Sequence, residues 1–242
     1  MQSHPDLIFD LGANQGEDTE FYLAKGFRVV GVEANPLLCN ALREKLAGAI
    51  GEGRLVLLNT GIWTEARTAT FYVNEENDHW SSFDPAYGTR QGTRFHTLEI
   101  PCITVQDLFA QYGLPHYLKI DIEGADRLVL AQMRGMAAVP RYISVEEYGP
   151  QAFRDLHALG YRRFKAVPQG DKRWAVPPNP PREGRYVHKS FSGRDSGLFG
   201  DELPERWVEL EPALEWFTRF VRTESFDYVG PPGEWWDIHG TL

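Results

Sequence analysis

Apolar blocks separated by polar stretches recur along the first two-thirds of the chain, and they predict alternating strands and helices. Short apolar runs predict buried strands at residues 7–11, 27–33, 54–60, 116–122 and 141–147. Apolar residues that recur near the helical period predict helices at residues 17–25, 37–47, 125–133 and 151–159. This alternation predicts an α/β fold with a doubly wound, mostly parallel sheet, helices on both faces and right-handed crossovers.

An insertion interrupts this pattern. Two further strand patterns, at residues 69–73 and 98–103, flank a polar loop at residues 74–95 that also contains aromatic residues. Long structured loops inside a compact domain are often lids over a site, and we interpret this loop as a lid. His79 in the loop is equally compatible with a surface position and with a role in that site.

The first strand runs into a Gly-rich turn that contains Gly12 and Gly16 and leads into a helix. Open α/β sheets present a nucleotide-like cofactor with such a turn. A dinucleotide fingerprint that starts at Gly12 would need glycines where the chain has Asn14 and Glu17. The acidic start of the helix, Glu17 and Asp18, would also repel a pyrophosphate. The turn therefore favours S-adenosylmethionine, which carries no phosphate, over NAD.

Acidic residues end three of the predicted strands. Glu33 lies about 20 residues beyond the glycine turn, where a carboxylate accepts hydrogen bonds from both ribose hydroxyls. Asp10 and Asp121 end two other strands, and the carboxyl ends of parallel strands share one edge of the sheet. We therefore expect the three carboxylates to converge on one crevice. Glu123 lies beside them if the chain turns at Gly124.

Composition limits the class of protein. The 242 residues suit one large α/β domain, and 42% of them are hydrophobic. The net charge of −9 argues against a nucleic-acid partner, and no apolar run is long enough to predict a membrane span. Cys39 and Cys102 have no metal-ligand spacing, so we expect reduced cysteines, no bound metal and a cytoplasmic location. The N-terminus shows no signal-peptide pattern.

Six short motifs in chain order resemble those of FkbM-type methyltransferases, within the Rossmann-like class of S-adenosylmethionine-dependent enzymes. The motifs are residues 10–16, 32–36, 81–82, 103–108, 119–126 and 143–146, and they span about residues 7–147. The glycine turn alone would be moderately specific, but together with Lys119-Ile120-Asp121-Ile122-Glu123-Gly124 it is quite specific. The family usually carries Glu where this chain has Asp126, which keeps the charge. Beyond about residue 167 we recognise no resemblance.

The resemblance implies a seven-stranded Rossmann-like sheet and methyl transfer, commonly to a hydroxyl of a sugar or natural-product intermediate. The residues expected to bind S-adenosylmethionine are Asp10, Gly12, Asn14, Gly16, Glu33, Ala34, Asn59, Ser82 and Asp121. The catalytic candidates are Asp121, Glu123 and His79, with Glu146 and His188 as outlying ones. Asp121 is equally suited to hold the amino group of the cofactor. An NAD-dependent oxidoreductase and a non-catalytic S-adenosylmethionine-binding protein remain the rival functions.

The rest of the chain is expected to complete the molecule around this core. We divide the sequence into a core at residues 1–170 and an extension at residues 171–242 that completes the sheet and is placed to cap the acceptor site. A helix is predicted at residues 211–220, and the Pro-rich residues 177–181 predict a rigid linker. Four tryptophans of the extension either cover the far edge of the sheet, form a dimer contact or cap the acceptor; they are Trp207, Trp216, Trp235 and Trp236.

Basic residues are concentrated just before and within this extension. Residues 151–195 contain ten basic and four acidic residues. These charges are either solvated faces that partly pair with each other or a local anion site. In the second interpretation a carboxylate or phosphate of a small polar acceptor is bound by Lys172, Arg173, Arg182 and Arg185. Neither the identity of the acceptor nor the oligomeric state follows from the sequence.

Overall fold

The structure is a computed structural model that describes residues 2–204 and 206–242; Met1, which belongs to the predicted core, and Glu205, which belongs to the predicted extension, lie outside the described residues. Its strands are β1 (Ser3–Leu11), β2 (Arg28–Glu33), β3 (Leu55–Asn59), β4 (Gly61–Ile62), β5 (Arg67–Asn74), β6 (Phe95–Ile103), β7 (Leu114–Ile120), β8 (Tyr142–Glu146), β9 (Arg163–Pro168) and β10 (Trp236–Thr241). Its α-helices are α1 (Glu17–Ala24), α2 (Pro36–Lys45), α3 (Ala47–Gly51), α4 (Pro85–Gly88), α5 (Val105–Tyr112), α6 (Asp126–Met133), α7 (Gln151–Ala158) and α8 (Leu210–Phe220).

Seven of these strands form one sheet in the order β3-β2-β1-β7-β8-β10-β9. The pairs from β3 to β8 are all parallel, whereas β10 runs antiparallel to both of its neighbours. The mostly parallel, seven-stranded Rossmann-like sheet is therefore confirmed. The last strand of the chain lies between β8 and β9, so the sheet includes residues from both ends of the sequence.

Apolar runs fill the centre of the sheet because parallel strands are covered on both faces. Ile8 and Phe9 of β1 are completely buried and point to opposite faces. The face that contains Phe9 packs against α5, α6, α7 and α8. The face that contains Ile8 packs against α1 and against an irregular segment, residues 174–203. Part of α3 also packs on this face, so helices lie on both faces of the sheet as predicted, and the irregular segment covers the remainder of the second face.

The predicted strand at residues 116–122 ends two residues early, at Ile120. The chain turns at Glu123 and Gly124, whose φ angles are 49° and 91°. The left-handed region is favourable for glycine and costly for other residues, so Gly124 allows the turn. Asp121 and Glu123 thus lie in the turn between β7 and α6 and not at alternate positions of a strand.

The insertion consists of the antiparallel pair β5 and β6 with a loop between them. Both strands are longer than predicted, and β4 joins them in a small three-stranded sheet. The loop contains α4 and two 3-10 turns, Asp78–Trp80 and Arg90–Gly92. Asn74 fixes the base of the loop, since its Nδ2 donates to the carbonyl of Gly88 at 3.0 Å. The loop is therefore an ordered structural element of the domain.

The tryptophans of the C-terminal residues fall into two groups. Trp216 and Trp236 pack edge to face beside β9 and β10, and Trp207 stacks on Tyr142 at 6.2 Å between ring centroids. Trp235 instead lines a cleft at the carboxyl edge of the sheet. The predicted helix at residues 211–220 is confirmed as α8. Every helix in the described part of the chain is too short or too polar to cross a membrane.

Candidate active site

A cavity of about 620 Å³ lies at the carboxyl ends of β1, β2 and β7, under the inserted loop. Gly12, Asn14 and Glu33 line its polar side, and Phe71 and Phe83 lie on its apolar side. This edge of an open α/β sheet is where such folds bind ligands. Aromatic side chains and a carboxylate in one cavity suit a ligand that has an aromatic base joined to a sugar.

The glycine turn is held between two neighbouring strands. The amides of Gly12 and Ala13 donate to the carbonyl of Val32 at 3.0 and 2.9 Å. Gly12 has a φ of +86°, and a Cβ atom on it would lie only 1.8 Å from the carbonyl oxygen of Asp121. A side chain at this position would therefore clash with backbone. The absence of that side chain brings the backbone of β1 into contact with the turn that carries Asp121.

Glu33 is a buried carboxylate that orders the backbone around the cavity. Its Oε2 accepts from the amide of Asn14 at 2.8 Å, and its Oε1 accepts from the amide of Asn35 at 2.7 Å. Asn59 supports the same corner, because its Nδ2 donates to the carbonyls of Glu33 and Ala34. Burial raises the pKa of Glu33 to about 7, against the effect of the two amides. Each oxygen retains a lone pair for a ligand hydroxyl.

Asp10 and Lys119 form a buried pair behind the cavity wall. Asp10 is 0% exposed, its Oδ2 accepts from Thr19 Oγ1 at 2.6 Å, and its Oδ1 lies 3.1 Å from Lys119 Nζ. Burial alone would lower the pKa of Lys119, but Asp10 and two neighbouring carboxylates outweigh it and raise that pKa. Lys119 Nζ also donates to the carbonyl of Gly12 at 3.2 Å. The pair therefore stabilises the glycine turn through the hydrogen bond from Lys119 to Gly12.

The inserted loop is fastened to the turn that carries Glu123. Ser82 Oγ donates to the carbonyl of Glu123 at 2.6 Å, and Arg90 forms an ion pair with Glu123 Oε2. The Arg90 guanidinium lies 4.9 and 5.4 Å from the ring centroids of Trp80 and Tyr87, within the range of cation–π attraction. The loop thus supplies the countercharge of a site carboxylate, and it closes one side of the cavity.

A second, larger cleft of about 1,430 Å³ adjoins the first cavity. Both cavities are lined by Asp78, His79, Asp121 and Glu123, so these residues form their common boundary. Burial and then the charge of Asp121 raise the pKa of Glu123 to about 8. His79 Nε2 is buried and has no hydrogen-bond partner among the residues that the structure describes; a carboxylate oxygen of Asp78 lies 3.8 Å away. A free ring nitrogen at this boundary is available to a bound molecule.

The model of the FkbM methyltransferase domain matches residues 10–165, which is more than half of the chain and includes the turn, Glu33 and the Asp121–Glu123 boundary. The chain belongs to the FkbM methyltransferase domain family. A search of the curated proteins finds no match. The family assignment therefore rests on the domain match.

Solved structures similar to this FkbM domain are distant. FkbM methyltransferase from Methylobacillus flagellatus is 17% identical, with a TM-score of 0.36; the match covers 61% of this chain and 34% of that protein. Precorrin-6y C5,15-methyltransferase from Geobacter metallireducens is 10% identical, with a TM-score of 0.37 and coverages of 99% and 80%. The N-terminal domain of EvdMO1, solved with SAH bound, is 18% identical, with a TM-score of 0.35 and coverages of 98% and 74%. The present chain thus matches only about a third of the length of the Methylobacillus protein.

The structure separates the predicted site residues into two groups. The first group lines the cavities and contains Gly12, Asn14, Glu33, Ala34, His79, Asp121 and Glu123. The second group lies behind the cavity wall, where its members position the first, and contains Asp10, Gly16, Asn59 and Ser82. Gly16, with a φ of 84°, begins α1 and packs on Leu42. For the second group, direct contact with the cofactor stays a prediction; the structure shows these four residues outside the lining of both cavities.

Sequence reasoning missed Arg90 and Asp237, which line the larger cleft, and did not assign Trp235 to it. Arg90 follows the Ser81-Ser82 motif within the loop, so a search of that loop for a partner to Glu123 could have found it. No local signal marks Asp237, because it reaches the cleft only when β10 inserts beside β8. Glu146, an outlying candidate, lies at the end of β8 in the same cleft, whereas His188 does not line it.

The structure does not bring the four basic residues of the predicted anion site together, because Lys172 and Arg173 line one surface pocket that Arg182 and Arg185 do not reach. None of Lys172, Arg173, Arg182 and Arg185 lines the larger cleft. Arg173 pairs with Asp171, Arg182 donates to the carbonyl of Asp201, and Arg185 donates to that of Ala24. Lys172 is buried and donates to the carbonyl of Ser196 at 3.0 Å. These basic groups serve internal contacts, which corresponds to the interpretation that they pair within the protein.

Proposed function

We propose that the protein transfers a methyl group from S-adenosylmethionine to a hydroxyl of a small polar acceptor. The observation that carries the proposal is the boundary formed by Asp121, Glu123 and His79 between two adjoining cavities. A methyl donor in the smaller cavity and an acceptor in the larger cleft would meet there. Positioning the attacking oxygen in line with the methyl–sulfur bond supplies much of the rate of such a transfer.

The residues of the smaller cavity fit this cofactor. Glu33 has two carboxylate oxygens for ribose hydroxyls, and Gly12 leaves room for close approach to the backbone. The buried, unpartnered Nε2 of His79 is a polar atom that a ligand would satisfy. The cofactor supplies an electrophilic methyl group. Family membership and the acidic start of α1 both argue against NAD and an oxidoreductase.

Glu123 is the proposed proton acceptor. Arg90 binds its Oε2, and within residues 2–204 and 206–242 no group hydrogen-bonds to its Oε1. Oε1 would accept the proton of an acceptor hydroxyl while that oxygen takes the methyl group that a bound S-adenosylmethionine would supply. A carboxyl whose pKa lies near neutrality is well matched to this role. Asp121, which lies 3.6 Å from Lys119 Nζ, is assigned to orient the cofactor.

The charges that line the larger cleft support a small acceptor without strong negative charge. Its lining contains seven carboxylate residues and two arginines. A nucleic acid would be repelled by such a surface, because phosphate binding depends on basic residues. We therefore propose a small polar acceptor that is not anionic, and we propose that no metal ion is required.

Methyl transfer is expected when the protein is incubated with isotopically labelled S-adenosylmethionine and a cell metabolite extract. The label should appear in small molecules as an oxygen-bound methyl group, which mass spectrometry locates. The negative control is the double variant that carries Glu33→Ala and Glu123→Gln. Label on nitrogen would contradict the hydroxyl acceptor. Tight binding of S-adenosylhomocysteine without transfer to any fraction would favour the second candidate, a non-catalytic cofactor-binding protein.

Glu33→Ala is expected to weaken binding of S-adenosylhomocysteine at least about tenfold, measured by titration calorimetry. Loss of a hydrogen bond to a charged group typically costs about 1.5–3 kcal/mol. The matched control is Glu44→Ala on the exposed side of α2, which should leave the affinity unchanged. Equal affinities for the two variants would remove Glu33 from the cofactor site. Circular dichroism of both variants tests whether the fold is retained.

A further inference from the structure

Two carboxylates lie side by side on neighbouring strands at the back of the larger cleft. Glu146 ends β8, Asp237 is the second residue of β10, and the two are direct partners in the antiparallel pair. Direct partners have Cβ atoms about 4.5–5.5 Å apart, and like charges in such a pair are destabilising. Both residues line the larger cleft and neither lines the smaller cavity. The pair therefore belongs to the acceptor side of the site.

No basic group of the described chain makes a direct contact with either carboxylate, although the charges of Lys172 and Lys119 lower the pKa of Asp237 through space. Asp237 is only 8% exposed, and within residues 2–204 and 206–242 neither its carboxylate nor that of Glu146 forms a hydrogen bond or an ion pair. The hydrogen bonds of the nearby basic groups go to other acceptors: Lys119 donates to Asp10, Lys172 donates to Gln169 and to the carbonyl of Ser196, and Arg90 donates to Glu123.

Burial makes these charges costly. It raises the pKa of Asp237 to about 7, with Asp121 adding to the effect, and it raises the pKa of Glu146 well above its usual value, with Glu123 as the next cause. Buried carboxylates without a partner are rare because of this cost. An unpartnered, nine-tenths buried carboxylate that lines a cleft indicates a ligand able to neutralise it.

We propose that Glu146 and Asp237 bind an ammonium group of the acceptor, which is then an amino alcohol such as an aminated sugar. This proposal rests on the proposed function and names the substrate class of the same site. The ammonium group is the anchor and stays protonated, so it is not the nucleophile. The hydroxyl that receives the methyl group lies toward Glu123, on the side of the smaller cavity.

An organic cation explains the site better than a metal ion does. Asp121, Glu123 and Glu146 each offer an oxygen within 4.8 Å of the others, so the cluster resembles a metal site. However, Arg90 already binds Glu123, and a metal ion there would lie close to a guanidinium. An ammonium group has three donors that reach acceptors at about 2.8 Å, which suits spread carboxylates. The cleft is also large, and the rings of Trp80 and Trp235 line it.

The test uses the full chain, labelled S-adenosylmethionine and a metabolite extract divided into two halves. One half is treated with acetic anhydride in bicarbonate, which converts primary amines into neutral amides. We expect labelled product from the untreated half to be retained on a cation exchanger at pH 5. We expect at least a tenfold smaller yield from the acetylated half. Neutral or anionic products formed equally from both halves would overturn the ammonium proposal and leave the methyltransferase proposal intact.

Variants give an independent readout on the acceptor. The acceptor is supplied as a fraction of the extract enriched on the cation exchanger. Glu146→Gln and Asp237→Asn should each raise the KM for this acceptor at least tenfold. Glu75→Gln, which removes the same charge from the inserted loop outside the cleft, should not. Melting temperatures of the first two variants should equal or exceed that of the natural chain, because one of two repelling charges is gone. Unchanged KM values in both would overturn the proposal.

Two further outcomes separate the possible failures. Transfer that is abolished by EDTA and restored by Mn²⁺, with lost metal dependence in Glu146→Gln, would show that the carboxylates bind a metal ion and would overturn the ammonium proposal alone. Absence of label transfer to either half of the extract, despite binding of S-adenosylhomocysteine, would overturn the proposed function, and the ammonium proposal would fall with it.

Discussion

Glu123→Gln is expected to reduce kcat for methyl transfer by about 10²–10⁴-fold, the usual contribution of a general base. Glutamine keeps the size of the side chain and an acceptor for Arg90 but cannot take the hydroxyl proton. The matched control is Glu99→Gln, an exposed carboxylate on β6 that accepts from Thr70, and it should leave kcat unchanged. Both rates are measured with labelled S-adenosylmethionine at saturating concentrations.

The pH dependence of the same enzyme identifies the base. Because the pKa of Glu123 is raised to about 8, the carboxyl is protonated and inactive below that pH, and kcat/KM should rise with pH and level off above about 8. The residual kcat/KM of Glu123→Gln should not show this rise with pH. If Asp121→Asn removed the rise of kcat/KM with pH and Glu123→Gln kept it, the base would be Asp121. We expect Asp121→Asn to bind S-adenosylhomocysteine more weakly and to keep the rise of kcat/KM with pH.

Lys119→Met is expected to lower the free energy of unfolding by about 3–5 kcal/mol, because it leaves the buried Asp10 carboxylate without its countercharge. The side chain of Lys119 is 4% exposed and that of Asp10 is 0% exposed, so water cannot replace the lost partner. The measurement is urea unfolding followed by circular dichroism at pH 7. Lys45→Met is the control, since Lys45 and Glu20 form an exposed pair whose loss typically costs about 0–1 kcal/mol.

The double variant Lys119→Met with Asp10→Asn separates charge from packing. Asparagine removes the uncompensated charge and retains an acceptor for Thr19, so part of the lost stability should return. A double variant no more stable than Lys119→Met would show that the loss arises from packing. A loss under 1 kcal/mol in Lys119→Met itself would show that the pair contributes little to the fold.

Patterns local in the sequence determined the part of the site around the smaller cavity, where we propose that the cofactor binds. Gly12 must have a positive φ and no Cβ, and Glu33 ends a buried strand beside it; both facts depend on a strand, a turn and a helix that adjoin in sequence. Periodicity predicted β1, β2, β3 and β8 to within a few residues because parallel strands buried on both faces are nearly continuous apolar runs. β9 and β10 had weaker apolar patterns and were not predicted as strands.

The acceptor side depended on contacts between residues distant in sequence. Asp237 meets Glu146 only because β10 inserts into the sheet, and Arg90 meets Glu123 only because the inserted loop folds over the turn after β7. Lys172, Arg182 and Arg185 are close in sequence but donate to three different backbone carbonyls, of Ser196, Asp201 and Ala24. The sequence by itself thus determined the five parallel strands, the glycine turn and Glu33, whose geometry is set by neighbours along the chain. Only the tertiary structure decided which charges face the acceptor, because strand order and loop packing select those partners.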